Sequence, residues 1–251
     1  MTIKKPYRRT CRQFVDGNYL PHGNHDFIGD PGFAKAPEQY VRAFLVIQKD
    51  LRDLFDYVEP VDENEKCYSY RIHELLMRSC IEVEANWKAI LSENGYIQSG
   101  KDWNRRDYKK LNATHRLSSF KVKFPVWHGI NAVRTPFASW GQSGGDLTWY
   151  DAYNAAKHDR HRQFKEANFG NLIDAVAGLV ALLSSQFCDY DFEGPYVTYF
   201  VDDMYKGDGF ETAVGKYFRV KYPDDWPINE RYDFKWEDIK SDRDPFQSLT
   251  F

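Results

Sequence analysis

The chain has 251 residues and a formal net charge of −3, its 34 Lys and Arg nearly balanced by 37 Asp and Glu. That balance excludes a global basic field drawing the molecule to nucleic acid or membrane, so any such contact is local. Aromatic side chains make up 17% of the residues and supply large buried areas, which favours a folded protein over a disordered one.

Residues 1–37 are predicted as an irregular N-terminal arm. Gly17, Pro21, Gly23, Gly29, Pro31, Gly32 and Pro37 break any periodicity, while Phe14, Tyr19, Phe27 and Phe33 give the arm something to bury. His22 and His25 form an H-x-x-H pair, but without a helix or a third ligand they read as loop histidines. A first helix is predicted over 37–59, with Pro37 in its first turn and Tyr40, Phe44, Ile47, Leu51, Leu54 and Val58 as an apolar stripe. A second is predicted over 66–93, stopping before Gly95, with Ile72, Leu76, Cys80, Val83, Trp87 and Ile90 facing the core. Its other face carries Arg71, Glu74, Arg78 and Glu82. Alternating charge of this kind makes a salt-bridged exposed face, or else supplies a carboxylate to a neighbouring site.

A shorter basic helix follows at 105–117. Phe120-Lys121-Val122-Lys123-Phe124-Pro125 then alternates strictly, and Phe218-Arg219-Val220-Lys221-Tyr222-Pro223 repeats the pattern, so the two predict paired strands of a small antiparallel sheet. Tyr196–Val201 is a candidate third strand, and 129–145 reads as a loop. Residues 169–187 are apolar nearly all round, as in the central helix of a bundle; Asn171 and Asp174 interrupt them, against a membrane span. The tail from 189 to 251 reads as an aromatic strand-and-loop extension packed on the bundle. With no run of about 18 apolar residues and no apolar signal core at the start, a soluble cytoplasmic protein without membrane contact is expected. Cys11, Cys67, Cys80 and Cys188 are scattered without C-x-x-C pairs, so neither a disulfide framework nor a metal site is expected. No P-loop, dinucleotide turn or G-x-S-x-G occurs, and no cofactor is expected.

The segment from Tyr150 to Arg162 carries the most chemistry. Thr148 followed by Asp151 predicts a capping box, and no Gly or Pro intervenes before Gly170. On such a helix Asn154, His158 and Arg162 recur at steps of four and stack on one stripe. A stacked amide, imidazole and guanidinium can hold a phosphate and exchange a proton with it near neutral pH. The plain alternative is a solvated basic helix end, where the dipole favours Lys157, Arg160 and Arg162.

A helix bearing Tyr-Asn-x-x-Lys-His-x-Arg (Tyr153 to Arg160), followed by a buried Ala- and Leu-rich helix, resembles the HEPN-like superfamily. The resemblance covers roughly 38–188 and implies a mainly α fold, a helical bundle to which the small sheet and the aromatic tail are accessories. It also implies a prokaryotic defence or toxin–antitoxin setting and a homodimer. The active ribonucleases of that superfamily carry an arginine four to six residues before a histidine, often followed by a polar residue. His158 and Asn154 match; Tyr153 stands at the arginine position and cannot supply its fixed charge.

Two functions follow as expectations. In the first, the chain is a binding or scaffold member: Tyr153 packs in an interface, Asn154 and His158 hydrogen-bond across it, and Lys157, Arg160 and Arg162 hold RNA or an acidic protein. In the second, it is a metal-independent endoribonuclease. His158 is then the general acid or base, Asn154 orients it, and Arg162, Arg160 or a residue of a second protomer replaces the missing arginine.

Overall fold

The protein, seen in a computed structural model, is described over residues 2–19, 26–192 and 208–251. The His22–His25 pair and the strand predicted at 196–201 lie outside those residues. In chain order the helices are α1 (Asp26–Gly29), α2 (Pro37–Phe55), α3 (Tyr70–Glu93), α4 (Arg105–Lys109), α5 (Leu111–His115), α6 (Thr148–His158), α7 (Arg160–Gln163), α8 (Phe169–Phe187) and α9 (Trp236–Ile239). The strands are β1 (Lys121–Lys123), β2 (Val133–Arg134), β3 (Glu211–Thr212) and β4 (Arg219–Lys221). The fold is mainly α with one small antiparallel sheet.

The helix α8 lies at the centre, against α3 on one side and α6 on another. Asn168 caps it by accepting from the Asn171 amide. Among its 19 residues only Asn171 and Asp174 are not buried, so its length and apolar composition serve a core rather than a bilayer. Each fully buried Leu, Ile or Val there contributes about 1.5–3 kcal/mol of burial free energy. The α3 helix presents the whole stripe from Ile72 to Ile90 to this core. Ser69 caps α3 at its start, and Gly95, with φ +78, lets the chain turn away after its end.

Element boundaries differ from expectation: the first helix stops at Phe55, short of residue 59, and the second starts at Tyr70, after residue 66. The 105–117 helix is split into α4 and α5, joined at Lys110. The 129–145 loop contains β2, which pairs with β1 through Val122 opposite Arg134. The motif helix ends at His158, before it reaches Arg162. The sheet order is β2-β1-β4-β3, and the two look-alike segments pair as expected, Val122 opposite Val220 with both side chains buried against α8.

One continuous hydrophobic core takes residues from the arm, the bundle and the tail. The arm is tied in by charge as well as by rings. Arg9 is fully buried, with Nε 2.7 Å from Glu93 at the end of α3 and Nη1 donating to Gln186 on α8 at 3.0 Å. Its Nη2 donates to the Lys35 carbonyl at 2.7 Å, and the Tyr40 ring lies 4.5 Å away. His115 is buried beside it, bonded to the Arg9 carbonyl and to Thr114, and burial with Arg12 nearby pushes its pKa down to about 3.

Candidate functional site

The buried side of α6 is aromatic. Trp149, Tyr150 and Tyr153 pack toward Trp87 and its neighbours on α3, and Ala156 closes the row. Tyr150 is anchored by donating its hydroxyl to Glu84 Oε1 on α3 at 2.9 Å. Burial, then the Glu84 charge, raise its pKa, so it stays a donor. Tyr153 is buried one turn further on, where its hydroxyl accepts from Lys157 Nζ at 3.1 Å. The same ammonium lies 5.1 Å from the Tyr153 ring centroid. Burial raises the Tyr153 pKa against the opposing pull of Lys157, and the hydrogen bond raises that of Lys157 in turn.

Asn154 does not orient His158. Its Nδ2 donates back to the Tyr150 carbonyl at 2.9 Å, one turn toward the helix start, while His158 lies one turn toward its end. His158 is exposed as the last residue of α6, and among the described residues no side chain hydrogen-bonds it. The stripe then breaks. Asp159 leaves helical geometry with φ −139 and ψ 62, and its side chain caps α7 by accepting from the Arg162 amide. Arg162 therefore does not stack a turn beyond His158. It projects into solvent, its side chain 81% exposed and 3.9 Å from Asp159. The predicted capping box at the start of α6 is also absent. The N-cap is Leu147, and Asp151 instead forms an ion pair with Arg105.

The charged face of α3 is a salt-bridged one, with Arg71 paired to Glu74 at 3.0 Å, and it does not supply a carboxylate to the α6 stripe. Arg78 forms an ion pair with Asp50 on α2 and lines a groove of about 450 Å³ between α2 and α3. Glu82, one turn along α3, is half-buried, and burial raises its pKa more than Arg78 lowers it. The carboxylate that α3 turns toward α6 is Glu84, held by Tyr150 and by Lys88 at 3.4 Å. In the sequence Glu84 sits between Cys80 and Lys88 at steps of four, on the edge of the core stripe, and that spacing was the available signal.

After α6 the chain doubles against the start of α3. Phe164 lies 4.7 Å from the Tyr70 ring and 5.7 Å from each of the Tyr68 and His73 rings. Tyr68 and Tyr70 remain largely exposed. Burial followed by the Arg160 charge lowers the pKa of His73, against the opposing pull of the Ala156 backbone. The Arg160 guanidinium is 6.0 Å from the Tyr70 ring. Lys157, His158, Arg160, His161, Arg162 and Lys165 are all exposed along this edge. The result is a platform of two exposed tyrosines bordered by cations.

No protein-family model, curated protein or solved structure matches the chain.

The chemistry this arrangement can perform follows from its parts. Proton transfer needs an imidazole fixed toward its substrate, and electrostatic stabilisation needs a cation fixed near the developing charge. Among the described residues His158 has no orienting partner, and neither Arg160 nor Arg162 shares its helical stripe. Anion binding demands less: exposed cations for phosphates or carboxylates and flat rings for stacking. Among the described residues no three His, Cys, Asp or Glu side chains converge as a metal ligand set.

Proposed function

We propose that this chain is a non-catalytic, HEPN-like binding protein of the prokaryotic defence or toxin–antitoxin type, whose α6–α7 edge holds single-stranded RNA. The observation that carries this reading is the state of Tyr153. The position where the resemblance expects an arginine holds a buried ring whose hydroxyl is occupied by Lys157. A charge there would have to be desolvated in an aromatic core, so the site favours packing over phosphate chemistry. Around it, Tyr68 and Tyr70 offer π-faces, while Lys157, Arg160 and Arg162 offer charge for the backbone. Base stacking on an aromatic ring is worth about 1–3 kcal/mol per base and tolerates any sequence.

The test is fluorescence anisotropy with a labelled single-stranded RNA oligomer at several salt concentrations, with gel analysis of the same RNA for cleavage. Binding that weakens steeply with salt, that falls about tenfold in Arg160→Ala (roughly 1.4 kcal/mol), and that leaves the RNA intact is expected. RNA cleavage lost on His158→Ala establishes the ribonuclease reading instead. Absence of RNA binding with retention on an acidic polypeptide makes the edge a protein-docking surface.

A further inference from the structure

The fold brings together two thiols that the sequence separates by most of its length. Cys11 lies on the N-terminal arm; its amide donates to the Ser185 carbonyl at 2.8 Å and its Sγ to the Gln186 carbonyl at 3.0 Å, in the last turn of α8. Cys188 ends α8 two residues beyond Gln186, and the neighbouring Cys11 sulfur helps to raise the pKa of its thiol. Both side chains are buried. Cys188 holds φ +54 and ψ −116, a backbone state rarely adopted by a residue with a Cβ. Such a conformation persists only where surrounding contacts impose it, and here it stands two residues beyond the carbonyl that accepts from the Cys11 sulfur. The other cysteines lie apart from this pair, Cys67 exposed before α3 and Cys80 in the core beside the Tyr153–Glu84 cluster.

We propose that Cys11 and Cys188 form a redox-modification site, a dithiol that hydrogen peroxide converts to a disulfide tying the N-terminal arm to the end of α8. One sulfur, as thiolate, attacks peroxide, forms an S–O bond and releases hydroxide. The second sulfur then displaces that oxygen as water, and the S–S bond closes. Two thiols and one peroxide yield one disulfide and two waters; the sulfurs lose two electrons and the peroxide gains them. Burial pushes the Cys188 thiol well above its ordinary range, so that thiol rests protonated, and loosening of the arm sets the rate of reaction. Closure would span positions 11 to 188, most of the chain, and a longer loop restricts the unfolded state more.

The experiment treats the full chain with millimolar hydrogen peroxide, alkylates under denaturing conditions, and maps peptides without reduction. The expected result is a linked peptide joining Cys11 to Cys188 and a Tm higher by about 10 °C that dithiothreitol reverses. Cys67→Ser keeps both the linked peptide and the shift, while Cys188→Ser loses both. Wild-type protein in which Cys11 and Cys188 remain fully alkylated after oxidation overturns the proposal. So does cross-linking that runs only through Cys67. The peptide map is read on the wild-type chain, so the outcome holds even where a serine variant folds poorly.

Discussion

Lys157 serves Tyr153 twice, donating to its hydroxyl at 3.1 Å while lying 5.1 Å from the centroid of the same ring. One helical turn separates the two residues, so the pair forms within α6 without help from another element. The consequence is that the buried ring has its polar end satisfied at the rim, as a tyrosine in an apolar site requires. Tyr153→Phe is therefore expected to cost about 1 kcal/mol, the net worth of one hydrogen bond. Tyr153→Arg should cost about 3 kcal/mol or more, because it places a charge in a buried position against the Tyr150 ring. Urea melts of the two variants give both values. An arginine variant as stable as the wild type would show that this position is open to solvent.

A second expectation concerns the arm. Arg9 and Glu93 form a buried ion pair at 2.7 Å, and Glu93 also accepts from the Lys35 amide at 2.9 Å. Removing one member of such a pair leaves the other charge desolvated, and Arg9→Met is expected to lose about 3–5 kcal/mol. The double variant Arg9→Met, Glu93→Leu should recover part of that loss, since an apolar pair carries no uncompensated charge. Chemical denaturation across this mutant cycle tests both. A double variant no better than Arg9→Met alone would mean that the stranded Glu93 charge is not what destabilises the single variant.

Acid sensitivity should come from His115. Its folded pKa of about 3 lies below the ordinary histidine value because the ring is buried, with Arg12 adding to the effect. Between those values the unfolded chain binds the proton that the folded chain refuses, so stability is full above the ordinary value and falls as pH drops. From about pH 7.5 to about pH 5 the expected loss is about 2 kcal/mol. Asp174 works in the opposite sense. Burial raises its pKa to about 6 despite Arg134, so its ionised form is penalised and stability rises as pH falls through that value toward the ordinary carboxylate range. Its side chain is 34% exposed, and solvent screening reduces that gain to about 1 kcal/mol at most. His115→Gln should flatten the acid limb of a stability–pH curve; an unchanged limb would assign acid lability to other groups.

The parts of the fold that were legible are those where one period repeats. Phe44 to Leu54, Ile72 to Ile90 and Leu172 to Leu183 each bury a helical stripe, and Val122 and Val220 face inward as strict alternation requires. The parts that were not legible depend on partners distant in sequence. Glu84 rather than Glu82 meets α6, because helix rotation is set by how α2, α3 and α8 seat together. Arg9 and Cys11 sit in a segment with no period, and their burial is decided by Glu93, Gln186 and Cys188. At the candidate site the sequence placed Tyr153 and Lys157 a turn apart, as found. It could not show that the helix stops at His158, since Asp159, Arg160, His161 and Arg162 carry no breaker and the stop comes with a cap and a docked ring.

That stop yields the last prediction. Two features hold the turn after α6: the Asp159 carboxylate, which accepts from the Arg162 amide at 3.3 Å, and Phe164, seated among Tyr68, Tyr70 and His73. If the ring dominates, Asp159→Ala should cost only about 1 kcal/mol, the value of an N-cap, and leave RNA affinity unchanged. Phe164→Ala should cost about 2 kcal/mol, less than a fully buried phenylalanine because this one is half-buried. It should also lower RNA affinity at least tenfold by releasing Tyr70 and Arg160 from their shared arrangement. Urea melts and anisotropy on the two variants separate the causes. A larger affinity loss in Asp159→Ala than in Phe164→Ala would mean that the cap, not the aromatic seat, shapes the surface.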